Sequence, residues 1–228
     1  MTSSLPAAVL WDMDGTLVDT EVYWMSAETA LVESFGGTWT HEQALTLVGQ
    51  GLESSGAILQ DAGVRMSVSE IVQHLTEQVM NQLAERGNPL RPGAAELLRD
   101  LRAAGVRTAL VTMSLRSMAE LVVSRLDPDS FDVIVSGDDA TRPKPHPDPY
   151  LQACAALGVA PADTVAIEDS PTGVGAAVAA GIPTIGVPLM VSLIGTGATI
   201  WPTLEGRTPQ DLTDFHAHAT THRDGGRS

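Results

Sequence analysis

Lysine is nearly missing from this chain. Of its 13 basic residues only Lys144 is a lysine, so chemistry that needs a side-chain ammonium, a Schiff base above all, must use that position. Cysteine is as scarce, and a lone Cys154 excludes an internal disulfide framework. Its place on a predicted helix suits core packing better than nucleophilic chemistry. No run of 18 apolar residues occurs, and residues 1–8 carry neither the basic nor the apolar part of a leader segment. A soluble, cytoplasmic protein without a membrane partner is expected. Positive charge is also short: 28 acidic against 13 basic residues leave a formal net charge of -15. That field repels a polyanionic backbone, so nucleic acid is not an expected partner.

What is present is a strand and helix rhythm. Of 228 residues 43% are hydrophobic, enough for one good core and a smaller second one. Residues 7–11 form a short apolar run that is too brief for a helix and reads as a buried parallel strand. Comparable runs at 108–112, 133–136, 164–167 and 183–187 imply five strands. Between them lie helical patterns: one opened by Pro92-Gly93 and closed by Gly105, then 118–126, 148–157 closed by Gly158, and 172–180 closed by Gly181. This alternation predicts an α/β fold with a doubly wound parallel sheet.

Residues 21–89 break the rhythm, with helical patterns and no intervening strand. The clearest helix there starts at a Ser67-Val68-Ser69-Glu70 capping box and repeats Ile71, Leu75, Val79 and Leu83. The expected plan is a discontinuous α/β core over 1–19 and 90–218, an inserted helical domain over 20–89 hinged at 18–20 and 87–91, and a disordered tail over 219–228. An edge strand at 198–201 and a short helix at 209–216 complete it.

In open α/β sheets ligands bind beyond the carboxyl ends of the strands. Four such ends carry chemistry: Asp12 and Asp14, Thr112 with Met113 and Ser114, Lys144 after the third strand, and Glu168 with Asp169. Two carboxylates two residues apart can share one cleft in different environments, which separates a nucleophile, Asp12, from an acid and base, Asp14. A carboxylate attacking a phosphate dianion needs a divalent cation held by hard oxygens, for which Asp12, Asp169 and Glu168 are the candidates. Lys144 would neutralise the transferring phosphoryl group, and Thr112 with the neighbouring amides would hydrogen-bond its oxygens.

These residues form a recognisable set. Asp12-Met13-Asp14-Gly15-Thr16-Leu17-Val18-Asp19-Thr20 resembles the first motif of the haloacid dehalogenase superfamily, Thr112 the second, Lys144 the third, and Ile167-Glu168-Asp169-Ser170-Pro171-Thr172-Gly173 the fourth. The match runs over residues 7–187, and the helical insertion is similar to the cap of the phosphoglycolate phosphatase and β-phosphoglucomutase subgroup. The resemblance implies a Rossmann-like core and a phosphatase acting on a small phosphorylated metabolite through an aspartyl phosphate, as a monomer or weak homodimer. It implies Mg2+ bound by the side chains of Asp12 and Asp169 and the carbonyl of Asp14, with Glu168 as an additional or supporting ligand. Met113 stands where relatives often have a small or polar residue, and would act through its backbone amide beside Ser114 and Thr112.

Plainer readings exist for each part. A lone Asp-x-Asp suits a surface turn, the prolines around Lys144 suit a polyproline II segment, and Glu168-Asp169 with Ser170 suits a helix cap. His216, His218 and His222 look like a metal tract but fall in the expected tail, and Trp24, Trp39 and Trp201 read as packing residues. Gln50, Glu53, Ser54 and Ser55 are candidates to face the leaving group. Two other functions compete, a phosphosugar mutase and a silent binding protein of the same fold. Mutases of this kind carry a histidine where Trp24 stands and an arginine near Leu52, both of which disfavour that reading.

Overall fold

In a computed structural model the chain is described over residues 4–224, with side chains to 219. Six parallel strands form one sheet: β1 (Ala8–Trp11), β2 (Arg107–Val111), β3 (Val133–Val135), β4 (Thr164–Glu168), β5 (Thr184–Gly186) and β6 (Thr199–Ile200). Their spatial order is β3-β2-β1-β4-β5-β6. The order reverses between β1 and β4, which splits the loops at their carboxyl ends and opens a crevice there. Trp11 pairs with Leu110 on one side and Ile167 on the other, so the residues following these strands emerge side by side.

Alternation along each strand sorts the core into two layers, because successive side chains point to opposite faces. Val9, Trp11, Leu110, Val165 and Ile167 face the larger layer, which takes in α5 (Ala94–Ala103), α6 (Arg116–Val123) and α9 (Pro209–Asp224). Ala8, Leu10, Ala109, Val111 and Ala166 face the smaller one, under α7 (Asp148–Leu157) and α8 (Pro171–Ala179). Three alanines on that face let Tyr150, Cys154 and Leu157 of α7 approach closely. Cys154 is buried packing, as its sequence context suggested.

The expected edge strand is β6, and the expected short helix near 209 is α9, which continues to Asp224. Residues 219–224 are therefore helical, where the sequence reading had a tail from 219; residues 225–228 and the side chain of His222 lie outside the described residues. A terminal segment rich in polar residues still completes a helix when its apolar side docks: Leu212 is fully buried and Phe215 meets Trp201 edge-on at 6.3 Å.

Between β1 and α5 come four helices, α1 (Glu21–Ser34), α2 (His41–Leu45), α3 (Leu52–Asp61) and α4 (Val68–Arg86). They pack mainly on one another, α4 against α1 and α3, with Ile71, Leu75, Val79 and Leu83 buried as the periodicity predicts. The Ser67 hydroxyl accepts from the Glu70 amide while the Glu70 carboxylate accepts from the Ser67 amide, the reciprocal cap read from sequence. The two chains that lead in and out of these helices pair with each other: the Asp19 amide donates to Pro89 O at 2.8 Å and the Arg91 amide to Leu17 O at 3.0 Å.

Candidate active site

Asp12 directly follows β1, and its amide donates to Ile167 O at 3.0 Å, which sets it beside the end of β4. From there Glu168, the last residue of β4, and Asp169 turn toward it. One carboxylate oxygen from each of Asp12, Glu168 and Asp169 lies within 4.8 Å of the others, and all three side chains are buried. The turn after β1 can come this close because residue 15 is glycine: with φ at +82°, a Cβ there would sit 2.0 Å from Asp169 Oδ2. A Cβ at Gly173, in the first turn of α8, would sit equally close to the Glu168 carboxylate. Ser170 caps that helix by accepting from the Gly173 amide at 3.0 Å, so the capping reading holds for Ser170 while Asp169 points elsewhere.

Lys144 arrives from the loop between β3 and α7. Its Nζ donates to Asp12 Oδ1 at 2.7 Å, Glu168 Oε1 at 2.6 Å and Val111 O at 2.9 Å, which uses all three protons of the ammonium. Tyr150 of α7 packs its ring 5.1 Å from that ammonium and donates its hydroxyl to Glu168 Oε1 at 2.6 Å. Lys144 is 5% exposed. Burial works against its charge, but Asp12 and Glu168 outweigh that and raise its pKa. Burial, then Glu168, push the Asp12 carboxyl up to about 7, with Lys144 pulling back. Burial and the neighbouring Asp12 and Glu168 raise Asp169 well above the usual carboxylate range. One ammonium facing three carboxylates leaves an excess of negative charge that favours a cation.

The donor set fits one. Asp12 Oδ2, Glu168 Oε2 and Asp169 Oδ2 are buried oxygens with no hydrogen-bond partner, a costly state unless something positive meets them. Three carboxylate oxygens are the hard donors that Mg2+ takes.

Asp14 lines the same cleft but is held by a different set of partners. Its Oδ1 accepts from Thr20 and from the Trp24 indole at 3.2 Å, and its Oδ2 from Ser114 at 2.6 Å and Thr112 at 3.3 Å. Thr112 and Ser114, read as phosphate donors, thus spend their hydroxyls on Asp14 here, while Thr112 Oγ1 also accepts from the Ser114 amide at 3.0 Å. The Met113 sulfur accepts from the Lys144 amide at 3.4 Å and so packs against the lysine loop. All eight residues singled out from sequence lie in this crevice or on its wall: Asp12, Asp14, Thr112, Met113, Ser114, Lys144 and Asp169 line it, and Glu168 lies beneath.

The helical insertion forms the other wall, with Trp24, Met25, Leu47 and Leu75 among its lining. Gln50 and Ser55 line the cleft as anticipated, but Glu53 and Ser54 turn to solvent on α3. Besides Tyr150, four contributors are not marked by the sequence motifs. Trp24 is more than packing, since it donates to Asp14. Arg91 is buried and donates to Gly15 O, to Val187 O at 3.0 Å and to Pro188 O at 3.3 Å, tying the first loop to the end of β5. Glu21 and Glu28, seven residues apart on α1, are buried on its cleft face. Their signal was available: 21, 24, 25 and 28 share one helical face, and a buried face carrying two acids is unusual.

The profile of the haloacid dehalogenase-like hydrolase family matches residues 9–187 of this chain. The chain belongs to that family. Among relatives of this hydrolase, the protein CbbY of Rhodobacter capsulatus is 32% identical over 192 residues, covering 79% of this chain and 85% of its own. Hexitol phosphatase B of Escherichia coli K12 is 34% identical over 188 residues, covering 79% and 83%. The crystal structure of CbbY from Rhodobacter sphaeroides with xylulose-(1,5)bisphosphate superposes with a TM-score of 0.82 at 28% identity, covering 91% of this chain and 99% of that one. The family, and relatives named as phosphatases, make this chain an enzyme of the haloacid dehalogenase-like type. No helix among the described residues is long and apolar enough to cross a membrane.

Proposed function

We propose that this hydrolase is a magnesium-dependent phosphatase of small phosphomonoesters, with residues 20–89 acting as a cap over the α/β core. One observation carries the reading. A buried lysine, from a loop far along the chain, bridges the carboxylate that follows β1 and the one that ends β4, next to three partnerless carboxylate oxygens at the topological switch point.

Asp12 attacks phosphorus, the ester P–O bond breaks, and Asp14 gives its proton to the departing alcohol oxygen. Water then attacks the aspartyl phosphate, Asp14 takes the water proton, and phosphate leaves with Asp12 restored. Asp12, Asp169 and the Asp14 carbonyl would hold Mg2+, supported by Glu168; when bound, the ion offsets the repulsion between the attacking carboxylate and the phosphate. Lys144 stays charged and meets the phosphoryl oxygens, helped by Thr112, Ser114 and the amide of Met113. Trp24, which stands where the resembled mutases have histidine, orients Asp14 and offers no proton acceptor, so the mutase reading is the weaker one. A cytoplasmic setting agrees with the single buried cysteine.

The test is hydrolysis of para-nitrophenyl phosphate by the purified chain with Mg2+. Turnover is expected for the native protein, and Asp12→Asn should lower kcat by roughly a thousandfold or more, the scale of losing a nucleophile. Equal turnover by both proteins would overturn the covalent route, and none by either would favour a silent binding protein.

A further inference from the structure

We infer that Met25 sets the length of leaving group this hydrolase accepts, by closing the active-site cleft off from a second, larger recess along the same helix seam. This rests on the phosphatase reading above and adds to it the residue that limits substrate size.

The first observation is that two cavities share one wall. The cleft takes Trp24, Met25 and Glu28 from α1, Ala44 from α2, and Leu47 and Val48 from just beyond α2. The recess takes Met25, Thr29, Ala30 and Glu33 from α1, and His41 and Ala44 from α2. Met25 and Ala44 line both. Residues 29 and 33 follow Met25 at i+4 and i+8, so the recess continues the cleft outward along one face of α1. The cleft has a volume of about 80 Å3 and the recess about 440 Å3, which puts most of the room on this seam beyond the shared wall.

The second observation is which of the two residues makes that wall. Ala44 is 3% exposed and ends at its Cβ, so it cannot reach across the seam. Met25 is half-buried and packs against the core with an unbranched, adaptable side chain, and the closure falls to it. It directly follows Trp24, whose indole donates to Asp14 at 3.2 Å. A leaving group whose oxygen meets Asp14 and which runs outward along α1 therefore arrives at Met25 before the recess. The recess itself suits an uncharged aryl or alkyl extension. Thr29 spends its hydroxyl on Met25 O at 2.8 Å, Ala30 offers a methyl, and the charged ends of Glu33 and His41 are left to solvent.

The test compares kcat/KM with Mg2+ on phenyl phosphate and biphenyl-4-yl phosphate. Their phenols leave with similar ease, and the second ring lengthens the leaving group by roughly the pitch of one helical turn. The native chain should favour phenyl phosphate by roughly tenfold or more, the scale on which a pocket discriminates by size. Met25→Ala should cut that preference at least severalfold by raising kcat/KM on the biphenyl ester, and Met25→Leu, of similar volume, should keep it. Ala30→Trp, which refills the recess, should cancel the gain when added to Met25→Ala. Equal or faster turnover of the biphenyl ester by the native chain overturns the inference, whether or not the variants fold. A preference that Met25→Ala leaves unchanged overturns it too, as does a gain that survives Ala30→Trp, which would assign the effect to a loosened cap. Para-nitrophenyl phosphate turnover that disappears in Asp12→Asn keeps the phosphatase reading standing in each of these cases.

Discussion

Asp14 is held by four side chains drawn from two parts of the chain, Thr20 and Trp24 at the start of α1 and Thr112 and Ser114 after β2. Trp24→Phe keeps the ring bulk and removes one donor. A hydrogen bond to an ionised group is worth about 1.5–3 kcal/mol, so kcat should fall roughly tenfold with KM nearly unchanged, measured by steady-state kinetics; a change confined to KM would assign Trp24 to substrate contact alone. Glu28 lends itself to a different measurement. Unfolded it releases its proton near 4.5, and folded, because of burial offset in part by Trp39, at about 7. The folded state binds the extra proton between those values, so its contribution to stability is present below about 4.5 and is lost as pH rises through about 7. Glu28→Gln should remove that loss, narrowing the fall in unfolding free energy across the window by up to roughly 3 kcal/mol. Urea denaturation at a series of pH values reads it, and parallel profiles for the two proteins would show that Glu28 ionises normally.

At the scale of elements, pattern and cap predicted well where local chemistry is self-contained. Both the Ser67 capping box and the buried stripe of α4 were legible because a helix start and a 3.6-residue period need only neighbouring residues. Ser67→Ala should cost about 1 kcal/mol, a fall in Tm of about 2–4 °C for a chain of this size, with activity retained; calorimetry checks it, and no change would mean the insertion tolerates a frayed α4. A second capping box, Thr40 with Gln43 on the five-residue α2, has no helical period beside it to mark it in the sequence, because so short a helix shows none. Helix α9 runs to Asp224, beyond the 209–216 that the sequence pattern marks. Its polar residues give no signal, and its docking against Trp201 and the sheet is tertiary.

For the whole molecule, the three partnerless oxygens of Asp12, Glu168 and Asp169 predict a metal-dependent stability. At a Mg2+ concentration a hundred times its dissociation constant the folded state gains about 2.7 kcal/mol, so Tm should rise by roughly 5–10 °C, reverse with a chelator, and not rise in Asp169→Asn. A Tm indifferent to Mg2+ in the native chain would remove the metal from the proposal. The insertion is attached by two adjacent segments, with the Asp19 amide bonded to Pro89 O and the Arg91 amide to Leu17 O, so cap and core would move about one narrow junction.

The sequence by itself determined the α/β class, the run of helices after β1 and the eight residues, seven polar ones and Met113, that the fold brings to the crevice, because strand runs, helix periods and ordered motifs are local properties of the chain. Only the tertiary structure decided that Lys144 would spend its three protons on Asp12, Glu168 and Val111, that Tyr150 and Arg91 would support the site, and that α1 would aim two acids into it. Those outcomes depend on which strands neighbour one another and which helix face the cleft receives, and such long-range pairings leave no period in the sequence.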